Sequence, residues 1–115
     1  MIKTEIDVNP EKTQNVDTNI LKIKDLFDGL DALTLRIDGL KVRKIMENIL
    51  KKNEVVILDF EGINLITQGF GDEIIGVFVR NKGIDFVKNK IKVRNANDLV
   101  RGILNWVVSY SKNIS

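Results

Sequence analysis

Hydrophobic positions change their period several times along the chain, and each change marks an element. Residues 1–8 alternate loosely, with Ile2, Ile6 and Val8 on one side, as an edge strand would. Asn9-Pro10 breaks that pattern, and the polar, aperiodic stretch that runs to Asn19 reads as a flexible loop. Ile20-Leu21-Lys22-Ile23 and Leu33-Thr34-Leu35-Arg36 read as short strands around a turn at Asp28-Gly29. From Leu40 the period becomes helical. Leu40, Val42, Ile45, Met46, Ile49 and Leu50 form one face, and Lys41, Arg43, Lys44, Glu47, Asn48, Lys51 and Lys52 the other. Asp38 is the predicted N-cap, and the closing lysines suit the negative end of the helix dipole.

The next elements set the fold class. Val55 to Phe60 carries neighbouring large apolar residues instead of alternation, so it is expected to be a central strand covered on both faces. Phe70, Ile74, Val77 and Phe78 predict a helix to about Asn81, stopped by Gly83. Val87 to Arg94 is assigned as the next strand, parallel to the central one. Asn95-Ala96-Asn97-Asp98 then caps a last helix whose apolar stripe of Leu99, Ile103, Trp106 and Tyr110 is widened by Val100, Leu104, Val107 and Val108. The expected architecture is a single α/β domain over 1–115, with a mixed, partly parallel sheet and about three main helices. Residues 20–115 form its core.

Composition narrows the chemistry. The chain has 115 residues, 43% of them hydrophobic, enough for one domain burying roughly two thirds of the surface its unfolded form exposes. It has no Cys and no His, so disulfides, Cys/His zinc sites and Ser-His or Cys-His nucleophile pairs are excluded. There is no uninterrupted apolar span and no apolar signal core after Met1, and the chain is expected to be soluble and cytoplasmic.

The most informative stretch runs from Val55 to Gly76. Its strand, Asp59-Phe60, short loop and Gly69-Phe70-Gly71-Asp72-Glu73 helix start resemble the STAS-like domains, small relatives of anti-sigma factor antagonists and of sulfate-transporter regulatory domains. The resemblance runs from about Asp38 to Tyr110, with Gly62, Ile66-Thr67 and Asn95-Ala96-Asn97 as further matches. It implies a STAS-like fold and a non-catalytic regulatory role: docking a signalling partner, with a histidine-kinase-like ATPase as one candidate class. The docking segment it implies is Thr67, Gln68, Gly69, Phe70, Gly71, Asp72 and Glu73. In the anti-sigma antagonists this loop carries an aspartate followed by a phosphorylatable serine. Thr67 and Gln68 stand at those positions here, so the phosphorylation switch is not carried over.

Four further features compete for a role. Asp59 closes the central strand where open α/β sheets bind ligands, yet such a carboxylate also organises the turn that follows, the reading preferred here. A small carboxylate-dependent hydrolase built on it is the weakest alternative, since no polarising base, nucleophile or metal motif accompanies it. Asp59, Glu61, Asp72 and Glu73 match no known metal-ligand loop, and the acids after Gly69-Phe70-Gly71 oppose phosphate binding; no cofactor or metal is expected. Lys88, Lys90, Lys92 and Arg94 would share one face of a strand, suiting either a nucleic-acid footprint, the runner-up function, or the solubilising of an edge. Trp106 and Tyr110, on the broad apolar surface of the last helix, are candidate contacts for a homodimer or a heteromeric partner.

Overall fold

The computed structural model describes residues 18–114, so the strand and loop expected over 1–17 lie outside the described residues. Five strands and a set of helices alternate. Strand β1 (Ile20–Lys22) runs into a 3₁₀ turn (Ile23–Leu26), and β2 (Ala32–Leu33) is followed by helix α1 (Arg36–Leu50). Strands β3 (Val56–Asp59) and β4 (Leu65–Ile66) precede a continuous helix made of α2 (Gln68–Gly71), a π-helical turn (Asp72–Gly76) and α3 (Val77–Lys82). Helix α4 (Ile84–Lys90), strand β5 (Ile91–Arg94) and helix α5 (Asp98–Ile114) complete the chain.

β1, β3 and β5 form one parallel sheet with β3 in the centre, as its unbroken apolar run predicts. Its register aligns Lys22, Asp59 and Arg94 across the C-terminal edge. β2 and β4 form a separate two-stranded parallel pair, and every pairing among the described residues is parallel. β4 escapes notice in the sequence because two residues are too few to display a period.

The hydrophobic core joins both sheets to the helices. Phe60, Phe70, Met46, Leu58, Ile66 and Ile74 are fully enclosed, and each such side chain contributes about 1.5–3 kcal/mol relative to exposure. Phe27 meets the Phe70 ring edge-on at 6.3 Å. Phe70 is therefore a core anchor and offers no surface to a partner. Glycines set the closest helix approaches. A Cβ on Gly39 of α1 would come within 2.7 Å of the Glu73 Cβ, and one on Gly71 within 3.3 Å of Ile103 in α5.

Four expected elements are corrected. α1 begins at Arg36, with Leu35 at its N-cap and no side-chain cap bond, so Asp38 lies inside the first turn. There it still complements the positive helix end. Thr34, Leu35 and Arg36 consequently leave the strand assigned to 33–36, and Ile23 leaves the strand assigned to 20–23 for the 3₁₀ turn. The last correction matters most. The strand expected over 87–94 is a helix up to Lys90 and a strand only from Ile91. Ile84, Val87 and Ile91 also satisfy a helical period, and Gly83, at φ 92°, ends one helix and lets the next begin at once.

Candidate functional site

The parallel pairing of β2 with β4 brings two helix starts together. Each strand leads within a few residues into a helix, and the register Leu33 to Ile66 aligns the beginnings of α1 and α2. Thr67 closes this junction. Its backbone N–H donates to the Leu33 carbonyl at 3.1 Å, and its hydroxyl donates to the Thr34 carbonyl at 3.1 Å while accepting from the Phe70 N–H at 3.3 Å. It is thus the N-cap of α2 and a tie to the start of α1.

Two facing helix starts place partial positive charge side by side, and carboxylates compensate it. Arg36 donates from Nη1 to Asp72 Oδ2 at 2.9 Å and to Glu73 Oε2 at 3.0 Å. Arg43, two turns further along α1, reaches Glu73 Oε1 at 3.1 Å. Arg80 binds both oxygens of Asp72, at 2.7 and 3.1 Å, and donates to the fully buried Ser111 hydroxyl of α5 at 2.9 Å. Hydrogen bonding from Arg80 holds the Asp72 carboxyl below the usual carboxylate range; partial burial opposes this, and Arg36 adds to it. The same partners raise the guanidinium pKa values of Arg36 and Arg80. Three helices are tied through this arginine–carboxylate network.

Of the segment 67–73, then, Phe70 and Gly71 are buried, Asp72 and Glu73 are bound to arginines, and Thr67 is a cap. Gln68 is exposed, and Gly69 is half-buried beside the Arg36 guanidinium. The structure adds neighbours that the sequence reading did not single out: Leu35 and Ile37 flank Arg36, more than half exposed at 56% and 57%. Assigned to a strand and to no element respectively, they gave no signal of standing exposed at the start of α1.

Asp59 sits elsewhere, buried at the C-terminal end of β3. Its Oδ1 accepts from the Glu61 N–H and from Asn95 Nδ2, both at 3.0 Å, and Oδ2 accepts from Arg94 Nε at 3.3 Å. Burial pushes its carboxyl up, but the bonds from Asn95, Glu61 and Arg94 outweigh that and hold it below the usual range. A small cavity of about 220 Å³ beside it is lined by Lys22, Lys24, Asp25, Glu61 and Gly62. Asp59 and Glu61 are thus far in partnership from Asp72 and Glu73. Among the described residues no group of three or more His, Cys, Asp or Glu is arranged to hold a metal ion.

The four cations of 88–94 do not share one strand face. Lys88 and Lys90 belong to α4, whereas Lys92 and Arg94 belong to β5. Lys90 pairs with Glu54 at 3.2 Å, Lys92 donates to the Lys88 carbonyl at 2.7 Å, and Arg94 serves Asp59. A second, larger depression of about 400 Å³ was not foreseen; Leu50, Phe78 and Phe86 line it, with Lys51, Lys82 and Lys90. Those lysines stand at the C-terminal ends of α1, α3 and α4, where they satisfy negative helix ends. Trp106 and Tyr110 are exposed at 47% and 50%, with their rings stacked 5.1 Å apart.

With this geometry in place, residues 38–101 match the family described as STAS-like domains of unknown function. The chain belongs to that family. The matched segment runs from the first turn of α1 to the first turn of α5 and so includes the α2 junction, the π-helical turn and the Asp59 strand end. No match was found among curated proteins or among solved structures. No helix among the described residues is long and apolar enough to cross a membrane.

Proposed function

We propose that this STAS-like domain is a non-catalytic regulatory module that docks a signalling protein on the surface where α1 and α2 begin. The observation that carries the reading is that Leu35 and Ile37 are exposed at the start of α1 and Gln68 at the start of α2, which Thr67 ties together, with Arg36 between Leu35 and Ile37 ion-paired to Asp72 and Glu73. Apolar side chains on a rigid, internally neutralised platform give contact area without requiring a partner to desolvate an unpaired charge. STAS-like character is consistent with a protein partner, and a histidine-kinase-like ATPase is the class that the resemblance to anti-sigma antagonists implies. A catalytic reading finds less support, because Asp59, Asp72 and Glu73 each spend their hydrogen-bonding capacity on internal partners. Nucleic-acid binding through 88–94 has lost the continuous cationic row on which it depended.

The test compares the wild type with two surface variants, Leu35→Glu/Ile37→Glu and Gln68→Arg, in thermal unfolding and in capture of proteins from the native cell extract, with the retained partner then purified and titrated. Both variants are expected to melt close to the wild type and to bind the partner at least tenfold more weakly. Thr67→Glu is a poorer probe, since it removes a cap. Retention of the same partner with unchanged affinity by both folded variants would reject this docking surface.

A further inference from the structure

The hollow at the far end of α1 takes no part in the docking surface, and it lies at the opposite edge of the sheet from Asp59. α1 and α4 end beside it, close to where β3 and β5 begin, and α3 ends against it as well. Along α1 it is about 20 Å from Arg36, at about 1.5 Å per residue. Its volume of about 400 Å³ falls within the range of small-molecule sites.

The floor is apolar and largely aromatic. Phe78 and Phe86 stack at 6.0 Å with 17° between their planes, and Leu50 extends the surface they form. Phe78 is fixed by the core, while Phe86 and Leu50 are half-buried. Such a floor offers a flat ring an offset stacking partner and dispersion contacts.

The rim is cationic. Lys51, Lys82 and Lys90 stand around the floor, and Lys82 Nζ lies 6.0 Å from the centre of the Phe86 ring. Lys90 pairs with the fully solvated Glu54, a contact that water screens, and among the described residues neither Lys51 nor Lys82 has a carboxylate partner. Glu47, the acid of the rim, is paired with Arg43 at 3.6 Å. Each of the three helix ends carries roughly half a negative charge, against a full positive charge on each lysine, so the hollow keeps a positive surplus. Floor and rim together select an anion with a flat apolar body. An inorganic anion would leave the aromatic floor uncovered, and a neutral hydrocarbon would leave the ammonium groups without a partner.

We infer that this hollow binds a small aromatic carboxylate, with its ring laid against Phe86 and Leu50 and its carboxylate held by Lys51 and Lys82. The site stands apart from the helix-start platform, and neither reading rests on the other.

Titration of the full chain with trans-cinnamate, followed by amide chemical shifts and by calorimetry, tests the proposal. Binding is expected in the high micromolar to millimolar range that a ligand of this size allows, with the shifts centred on Leu50, Lys51, Lys82, Phe86 and Lys90. Neutral cinnamamide and acetate separate the ring from the charge, and each is expected to bind at least about tenfold more weakly. Lys51→Gln/Lys82→Gln changes two exposed side chains, so circular dichroism should show an intact fold while cinnamate binding falls to the level of cinnamamide. Lys51→Glu/Lys82→Glu should go further and prefer the cationic cinnamylamine to cinnamate, a reversal that loss of folding cannot produce. An absence of saturable shifts, cinnamamide binding as tightly as cinnamate, an unchanged affinity in the glutamine variant, or shifts centred on the exposed rings of Trp106 and Tyr110 would overturn the proposal.

Discussion

Asp72 receives both terminal nitrogens of Arg80, at 2.7 and 3.1 Å, from across the π-helical turn that separates them. The pair lies under Gly76, and the bond geometry depends on that position having no side chain. A Cβ at Gly76 would overlap Asp72 Oδ1 and would lie 2.9 Å from Ser111 Oγ and 3.0 Å from Val107 Cγ1. Helix propensity and packing therefore disagree at this residue, and packing decides.

Gly76→Ala is accordingly expected to destabilise the domain by about 1–3 kcal/mol, as overpacking does, although alanine is the better helix former by about 1 kcal/mol. Gly102→Ala should act in the opposite sense and stabilise the protein by about 0.5–1 kcal/mol, because its site is open. Urea unfolding of the two variants checks the pair. Equal signs would mean that the close approach of α5 to the π-helical turn does not constrain Gly76.

The same network carries a dependence on pH. Asp72 is held below its ordinary pKa by Arg80, against the effect of burial; burial pushes Asp59 up, but the bonds from Asn95, Glu61 and Arg94 together outweigh it and hold it low. A carboxylate depressed in the folded state contributes stability that is full above its unfolded pKa of about 3.9 and is lost as the pH falls through the lower folded value. The domain should therefore weaken steeply below about pH 4. In Asp72→Asn one of these contributions is absent at every pH. The stability difference between wild type and Asp72→Asn should be widest near neutrality and shrink towards pH 3, which denaturant unfolding at the two pH values measures. A constant difference would detach Asp72 from the acid transition.

Much of this organisation could be read from the chain itself, where a pattern was long enough or chemically specific. The central strand was legible in Val55 to Phe60 because burial on both faces leaves a continuous apolar run. The α2–α3 helix and its stop were legible in Phe70, Ile74, Val77, Phe78 and Gly83. The strand expected over 87–94 starts too early, because Ile84, Val87 and Ile91 fit a helical period while Val87, Lys88, Asn89, Lys90 and Ile91 fit local alternation. Only the tertiary position of Ile91 beside Val56 decides where the strand begins. Arg36 and Arg80 gave no sequence signal as partners of Asp72, since they lie 36 positions before it and 8 after it. No local rule connects residues that a parallel strand pair brings together.

Thr67 offers a graded test of the helix-start junction. Thr67→Ser keeps the hydroxyl that accepts from Phe70 and donates to Thr34, whereas Thr67→Ala removes both bonds and leaves the Phe70 N–H without its cap. Alanine is expected to cost about 1–2 kcal/mol and serine only a fraction of that. Amide hydrogen exchange should show the loss first at Phe70. If the alanine variant is as stable as wild type, Thr67 does not hold the junction, and the orientation of α2 rests on Phe70 burial alone.

Asn95 provides the sharpest check on the role of Asp59. It occupies the left-handed region at φ 60° and donates to the buried carboxylate at 3.0 Å, so it serves backbone and charge together. Asn tolerates that conformation at little cost, and glycine at none, while alanine is strained by about 1 kcal/mol. Losing a hydrogen bond to a charged group costs about 1.5–3 kcal/mol. Asn95→Gly isolates the second effect, and Asn95→Ala combines the two, so the expected order of stability is wild type, then glycine, then alanine. Both variants should also depend less on pH, with their deficit against the wild type narrowing on acidification, because the Asp59 carboxyl loses its principal compensating bond against burial and its pKa rises towards the ordinary range, leaving less stability to be lost as the pH falls. Denaturant unfolding at neutral and mildly acidic pH gives both readings. A glycine variant that matches the wild type at both pH values would show that Asn95 does not neutralise the cost of burying Asp59. The carboxylate would then be held chiefly by Glu61 and Arg94, and the conformation at Asn95 would be the only requirement that its position imposes.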